Sequence, residues 1–191
     1  MTKVYFGKIR EESEERIKNE QRRQEIEKFT CREGKIERIF VWLLLEYAVK
    51  DTFGVELESL NPRKNENGKW ECDKIYFSLS HSHGGAAVAL SDGPVGVDIE
   101  KMPVKNAEKL VRALTKSERI YFENAENKDL AFASLWTKKE CIYKKSGTGA
   151  FSPEHISANG EETQTGTVNI DNSAFCLSVT GKNAEYKEVT V

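Results

Sequence analysis

The chain has 191 residues, with 29 lysines and arginines, 31 aspartates and glutamates, and a formal net charge of −2. For this length we expect one compact unit or two small fused lobes rather than a multidomain assembly. The nearly balanced charge argues against general binding to a nucleic-acid backbone, which needs a strongly basic surface.

The apolar segments indicate neither membrane insertion nor export. The longest apolar run, residues 39–45, is much shorter than the roughly 20 residues that cross a bilayer. The amino terminus is charged from Lys3 onward and lacks an apolar segment followed by a cleavage site. We therefore expect a cytoplasmic protein. Its four cysteines form no CxxC pair, which favours reduced thiols over disulfides or a zinc site.

The first elements are predicted from the spacing of apolar residues. Alternation over residues 2–9 predicts a strand, and the highly charged residues 11–28 predict a solvated helix. Apolar residues recur at intervals of three and four over residues 36–48, which predicts a core helix with Gly54 as its stop.

A loop and three short strands are predicted next. Residues 61–68 have the proline and glycine content of a loop. Residues 75–80, 86–91 and 95–100 are β-rich runs separated by glycine-containing turns. This pattern predicts a three-stranded meander.

After Pro103 the pattern becomes helical again. We expect a helix over residues 107–114 and a long helix over residues 129–146 that ends at Gly147. Between them, Thr115 and Glu118 have the spacing of a capping box for a short helix.

The last part of the chain returns to strand patterns, at residues 166–170, 174–180 and 186–191. The order of strand, helices and strands therefore occurs twice, although no residue-level repeat supports a duplication. We predict an α+β fold of two similar lobes, residues 1–93 and 94–191, each a small antiparallel sheet packed on helices. A pocket is expected at the seam between the lobes.

Two carboxylates stand close together in the run PVGVDIE. Asp98 and Glu100 are two residues apart on a predicted strand, so both point to one face while Val97 and Ile99 face the core. Oxygen ligands of this kind suit Mg²⁺ or Mn²⁺ rather than zinc. The alternative is that two acids at an exposed strand end only add solubility.

The run LWTKKECIYKKSGTG lies on the predicted long helix. Steps of four residues place Trp136, Glu140 and Lys144 along one stripe. The same spacing is typical of an ordinary surface ion pair, which remains the alternative.

The run FSLSHSHGG joins a strand end to a glycine-rich turn. Ser80 and His81 lie where a hydroxyl, an imidazole and free backbone N–H groups can meet a phosphate. His81 and His83 could instead bind zinc, but His155 is remote and no third ligand has useful spacing. The GxSxG pattern of a serine hydrolase is absent.

The order and spacing of these runs resemble the 4′-phosphopantetheinyl transferase superfamily, and in particular its longer, monomeric Sfp-type branch. The matching residues are Gly96, Asp98 and Glu100, then Trp136, Lys139, Glu140 and Lys144, then Gly147 and Gly149, with Gly68, Lys69 and the SHS run upstream. The motifs cover residues 68–151. Two positions depart from the family pattern: Cys141 stands where another small residue, alanine or serine, is usual, and Trp70 stands where proline is usual.

The resemblance implies a two-lobed fold with pseudo-two-fold symmetry and an enzyme that uses coenzyme A. Such an enzyme moves the 4′-phosphopantetheine arm to a serine of an acyl or peptidyl carrier protein and releases 3′,5′-adenosine diphosphate. Asp98, Glu100 and Glu140 would hold Mg²⁺ or Mn²⁺ against the pyrophosphate. Glu140 would accept the serine proton, and Lys144 would supply a cation to the phosphate oxygens.

The resemblance also implies residues that bind the coenzyme. These are Lys69, Ser80, His81 and Lys139, with Arg38 chosen over Lys35 and Lys50 for the 3′-phosphate. A structural role is the alternative for Lys139. A monomer is expected, because two fused lobes would form the seam internally. The rival interpretations are a magnesium-dependent phosphohydrolase of a nucleotide or pyrophosphate, and a non-catalytic module that binds coenzyme A or a carrier protein.

Overall fold

A computed structural model describes residues 1–190 as nine strands and five α-helices joined by short 3₁₀ turns. The strands are β1 Thr2–Lys8, β2 Arg63–Lys64, β3 Trp70–Glu71, β4 Tyr76–Ser82, β5 Gly85–Ser91, β6 Val97–Lys101, β7 Thr163–Ile170, β8 Ser173–Thr180 and β9 Glu185–Glu188. The helices are α1 Glu20–Glu27, α2 Arg32–Phe53, α3 Ala107–Leu110, α4 Lys116–Asn124 and α5 Lys128–Ser146. None of the helices in this described part is both long and apolar enough to span a bilayer.

The larger sheet has the strand order β4-β5-β1-β9 and packs against α2. The predicted core helix is confirmed, and Gly54 ends it in the left-handed conformation at φ 70°. A glycine adopts this conformation without the steric cost that a Cβ would impose. Each large side chain that α2 buries, such as Phe40 or Leu44, contributes about 1.5–3 kcal/mol to folding.

The smaller sheet has the order β6-β8-β7 and packs against α5. Its other face meets the larger sheet, where Val97 and Ile99 pack with Phe6 and Ala87. The molecule is therefore layered as α2, larger sheet, smaller sheet and α5. This is the predicted α+β class, with helices packed on small sheets.

The predicted three-stranded meander is wrong in its third strand. β4 and β5 form an antiparallel hairpin, but β6 pairs with β8 in the smaller sheet. The reason is that β5 already pairs with β4 on one edge and β1 on the other, so no edge is left for β6.

The charged helix predicted over residues 11–28 is also too long. Only Glu20–Glu27 is α-helical, because Asn19 caps its amino end and the chain turns inward at Ile17. Arg22 is buried on the inner side of α1, where its guanidinium lies 5.2 Å from the ring centre of Trp42.

In the second half the capping box of Thr115 and Glu118 and the end of α5 at Gly147 are confirmed. The helix predicted over 107–114 is a single turn, α3, followed by a 3₁₀ turn. The last strand forms over Glu185–Glu188 and pairs in parallel with β1 of the larger sheet. Its predicted final residue, Val191, lies outside the described residues. The lobe boundary at residue 93 and the two-fold relation stay predictions.

Candidate active site

Three acidic side chains from two elements meet at one point. Asp98 and Glu100 project from the same face of β6, and Glu140 projects toward them from α5. One carboxylate oxygen from each lies within 4.8 Å of the others. The structure thus brings together the three residues that the sequence analysis assigned to a metal ion.

The glycine of the GVDIE run lets the two elements approach this closely. A Cβ on Gly96 would lie 1.8 Å from the Cys141 carbonyl oxygen and 2.7 Å from the Lys145 backbone nitrogen. Both atoms belong to the backbone of α5, so no side-chain rotation could relieve the contact. Gly96 therefore sets the distance between β6 and α5, and with it the spacing of the acids.

The donor set fits a hard divalent cation. Asp98 is 1% exposed, and its Oδ2 atom is buried without a hydrogen-bond partner. A buried carboxylate oxygen of this kind is costly unless a ligand completes it. All three side chains offer oxygen, which Mg²⁺ and Mn²⁺ prefer. The acidic cluster can therefore hold a metal ion.

The proximity of the acids disturbs their ionisation. Burial, together with the charge of Asp98, raises the pKa of Glu100 to about 7. The same two causes raise the pKa of Glu140 to about 7. A bound cation would offset this repulsion and favour the ionised form of both carboxylates.

Lys144 provides a positive charge inside the cluster. Its Nζ atom lies 2.5 Å from Asp98 Oδ1 and 3.6 Å from Glu140 Oε2. Burial alone would lower the pKa of Lys144, but the charges of these carboxylates outweigh it and raise the pKa. Lys144 therefore stays protonated beside the acids.

Ser80 faces the acids rather than an open anion site. The hydroxyl is 4% exposed and donates to Asp98 Oδ1 at 2.8 Å. It accepts hydrogen bonds from the Ile99 backbone N–H and from Lys144 Nζ. These bonds use the donor and both acceptor sites of the hydroxyl in this arrangement. Its predicted role in coenzyme binding stays a prediction.

Lys139 makes the buried contacts of a structural residue, which is the alternative to its predicted role in coenzyme binding; the coenzyme role stays a prediction. Its side chain is 0% exposed, and Nζ lies 2.7 Å from Glu118 Oε2. The same ammonium donates to the backbone oxygens of Pro153 and Ile156. Glu118 also accepts from the Ala158 backbone N–H, so this buried pair ties α4, α5 and the loop that follows α5.

Lys69 also has partners other than those predicted. Its Nζ atom donates to the carbonyl oxygens of Lys144 and Lys145, at 2.6 and 2.9 Å. A cation at this place satisfies unpaired carbonyl groups at the carboxyl end of α5. In this arrangement Lys69 stabilises the helix that carries Glu140 instead of reaching a phosphate.

The other two predicted coenzyme residues are Arg38, which lies on α2, and His81, which lies on β4 and contacts α2. His81 Nδ1 is 3.2 Å from Glu37 Oε2, and its hydrogen bond lowers the pKa of Glu37. Arg38 donates to the Gly34 carbonyl oxygen at 3.0 Å, with its guanidinium 3.5 Å from the ring centre of Phe29. Their roles in coenzyme binding stay predictions.

A cavity of about 250 Å³ adjoins Lys144 at the end of α5. It lies between the β2–β3 hairpin, β4 and α5, and its wall includes Trp70, Phe77, Leu79 and Lys144. The cavity is mainly apolar with lysines at its rim, so it has the composition of a small-molecule site.

Sequence reasoning missed Ser82, whose hydroxyl donates to Glu100 Oε2 at 2.6 Å. A signal was present, because the serines of FSLSHS alternate as the acids of VDIE do. Alternation places each set on one face of its strand, but it does not show that the two faces meet.

The part of the chain that contains the three acids is also the part that matches a known protein family. A family model described as the 4′-phosphopantetheinyl transferase superfamily matches residues 94–189, about half of the chain. The chain belongs to this superfamily. The matched segment contains β6 and α5 and therefore all three acids. The relatives described below support the Sfp-type branch that the motifs predicted.

Three curated relatives show the extent of the similarity. A 4′-phosphopantetheinyl transferase of Aneurinibacillus migulanus is 32% identical over 58% of this chain and 48% of its own length. One from Bacillus pumilus is 26% identical over 71% of this chain and 61% of its own. One from Salmonella typhi is 39% identical over 40% of this chain and 43% of its own. The chain thus spans about half the length of the superfamily members it matches.

Proposed function

We propose that this protein transfers the 4′-phosphopantetheine arm of coenzyme A to a serine hydroxyl of an acyl or peptidyl carrier protein. The observation that carries the proposal is the convergence of Asp98, Glu100 and Glu140 within 4.8 Å, with an unpartnered buried oxygen on Asp98. Membership of the superfamily supports the same activity. The products would be the modified carrier and 3′,5′-adenosine diphosphate.

The three acids would hold Mg²⁺, or Mn²⁺ in its place. When bound, the ion would neutralise charge on the pyrophosphate and make the departing phosphate a better leaving group. Asp98 suits the role of a permanent ligand, because it is buried and fixed by Ser80 and Lys144.

Glu140 would act as the general base, directly or through a water molecule. Its carboxylate lies at the point shared with Asp98 and Glu100, so a bound cation would keep it ionised and able to accept a proton beside the attacked phosphorus. The serine oxygen forms a bond to the phosphorus that carries the pantetheine arm, and the bond from that phosphorus to the bridging oxygen breaks. The serine proton passes to Glu140, and the electron pair of the broken bond leaves with the adenosine diphosphate. Lys144 supplies a positive charge to the phosphate oxygens during this exchange.

The coenzyme would occupy the seam beside these residues. The cavity next to Lys144 supports this position, and His81 and Arg38 remain the candidates for the outer phosphates. Lys69 could join them only by leaving the carbonyl oxygens at the end of α5. The monomeric state and cytoplasmic location stay predictions from the sequence.

The deciding experiment incubates the protein with Mg²⁺, coenzyme A and a panel of apo carrier proteins, followed by intact-mass measurement. We expect one carrier to gain the mass of a phosphopantetheine arm, and its serine-to-alanine variant to gain nothing. Release of 3′,5′-adenosine diphosphate without a modified carrier would instead identify a phosphohydrolase. Binding of coenzyme A or a carrier with no turnover would identify a non-catalytic module.

Two perturbations test the assigned chemistry. Glu140→Gln should abolish transfer while the fold is retained, whereas the exposed Glu126→Gln should transfer at the wild-type rate. Excess EDTA should stop transfer, and added Mg²⁺ or Mn²⁺ should restore it. Undiminished turnover in Glu140→Gln, or full activity in EDTA, would contradict this mechanism.

A further inference from the structure

The two sheets are joined beside the acids by serine side chains rather than by strand pairing. Ser78, Ser80 and Ser82 alternate along β4, which is an edge of the larger sheet. Each hydroxyl accepts a hydrogen bond from a backbone N–H of β6, which is an edge of the smaller sheet. The donors are Val97 at 3.1 Å, Ile99 at 3.2 Å and Lys101 at 3.5 Å. We call these three side chains the serine ladder.

The serine ladder satisfies backbone donors that would otherwise lack a partner at a sheet edge inside the protein. β6 pairs with β8 on one side only, and the N–H groups of these three residues point to the other side. Unpaired edge groups of this kind are costly when buried. The ladder thus also fixes the register of β4 against β6.

Two members of the ladder make a second bond, to an acid of the candidate metal site. Ser80 donates to Asp98 Oδ1 at 2.8 Å, and Ser82 donates to Glu100 Oε2 at 2.6 Å. Ser78 has no such partner, because the residue two positions before Asp98 is Gly96. Ser78 therefore serves as an internal control for Ser80 and Ser82, because among the described residues it bonds only to the backbone.

Glu100 depends on this bond more than Asp98 does. Asp98 is held by both Ser80 and Lys144, whereas Ser82 is the only side chain hydrogen-bonded to Glu100 among residues 1–190. Without that donor, the Glu100 side chain would be free to rotate away from two neighbouring negative charges. The hydrogen bond from Ser82 occupies Oε2 of Glu100 and restrains the whole carboxylate, including its other oxygen.

We infer that Ser82 is a positioning residue for metal binding, which fixes the Glu100 carboxylate toward the point shared with Asp98 and Glu140. The inference rests on the metal site of the proposed function. Hydrogen bonds that orient ligating carboxylates contribute strongly to metal affinity, and their loss weakens binding by about 10- to 100-fold. Ser82 itself touches neither the ion nor the substrate.

The test is a titration of Mn²⁺ into the full-length protein without coenzyme A, with free Mn²⁺ followed by electron paramagnetic resonance. Ser82→Ala should raise the dissociation constant about tenfold. Ser78→Ala is the matched control, because it removes a ladder hydroxyl of the same strand and burial but no bond to an acid. It should stay within about twofold of wild type, as should Ser82→Thr, which keeps the hydroxyl.

Transfer kinetics provide a second readout. In Ser82→Ala the Mg²⁺ concentration needed for half-maximal activity should rise, while the KM for coenzyme A is unchanged. If Ser82→Ala does not fold, Ser82→Cys replaces the hydroxyl with a weak donor of similar size and should show the same weakening of Mn²⁺ binding. Thermal unfolding of every variant verifies that the compared proteins are folded.

Wild-type Mn²⁺ affinity in Ser82→Ala, or equal losses in Ser78→Ala and Ser82→Ala, would overturn the inference. Equal losses would mean that the ladder supports the fold without orienting Glu100. The titration needs no coenzyme or carrier, so its result is independent of transfer. If Ser82→Ala loses affinity but wild type modifies no carrier, the positioning role stands and the proposed function falls.

Discussion

Replacing Gly96 with alanine tests whether the separation of β6 and α5 controls the site. The added Cβ would lie 1.8 Å from the Cys141 carbonyl oxygen, and real Cβ contacts essentially never fall below 3.0 Å. The two elements must therefore separate by at least 1.2 Å, the difference between these distances. Glu140 precedes Cys141 on α5, so this separation moves it away from Asp98 and Glu100.

The expected consequences are large for activity and moderate for stability. A misplacement of about 1 Å at a reacting group costs on the order of 100-fold in rate, so kcat/KM should fall by about that factor. Overpacking of the interface should lower the free energy of unfolding by about 1–3 kcal/mol. Mn²⁺ affinity should fall as well, because the three oxygens no longer reach one point.

The measurements are Mn²⁺ titration, carrier modification by intact mass, and urea unfolding. Gly93→Ala is the control, because a Cβ at Gly93 would meet nothing within 4 Å and its backbone does not require glycine. It should behave as wild type in all three. A folded Gly96→Ala protein with wild-type metal affinity and turnover would refute the argument that close packing of α5 on β6 builds the site.

Two substitutions and one change of pH test the observed contacts of Lys139 and Lys69 and the ionisation of the acids. Lys139→Met leaves Glu118 as an unpaired buried charge and should lower the free energy of unfolding by about 3–5 kcal/mol. Urea unfolding would show this, and a double variant that also makes Glu118 apolar should recover part of the loss. Lys69→Met removes a cation from the end of α5 and should cost about 0.3–1 kcal/mol by the same measurement. A loss of several kcal/mol in Lys69→Met, or none in Lys139→Met, would contradict these assignments. Burial raises the pKa of Glu100 and Glu140 from 4.5 to about 7. In the metal-free protein these two carboxyl groups therefore contribute fully to the free energy of unfolding below about pH 4.5, and this contribution is lost as the pH rises through 7. Thermal unfolding should therefore show a larger stabilisation by Mg²⁺ at pH 8 than at pH 6, and equal stabilisation at both would oppose this reasoning.

Local patterns in the sequence predicted the elements that depend on neighbouring residues. The three- and four-residue spacing of α2, the capping box of Thr115 and Glu118, and the stop of α5 at Gly147 all appear in the structure. Each is decided by the dihedral preferences and hydrogen bonds of a few consecutive residues. The common face of Asp98 and Glu100 follows in the same way from the period of a strand.

Partners that are distant in the sequence could not be predicted in this way. Lys139 stands in a run of lysines, and only the fold shows that it is buried against Glu118. Ser80 has the sequence context of an anion-binding hydroxyl, but only the fold shows that β6 lies beside it, with Asp98 as the acceptor of its hydrogen bond. Side chains of the same type acquire different roles because burial and available partners, rather than residue type, determine what each one bonds.

The sequence by itself determined the main helices and the residues able to bind a divalent ion. Tertiary structure decided that β6 leaves the hairpin for the second sheet, and that the Gly96 contact and the serine ladder bring Asp98 and Glu100 to Glu140. The physical reason is that periodicity specifies which side chains share a face. Which faces and strand edges meet depends on the edges left unpaired and the space available across the whole chain.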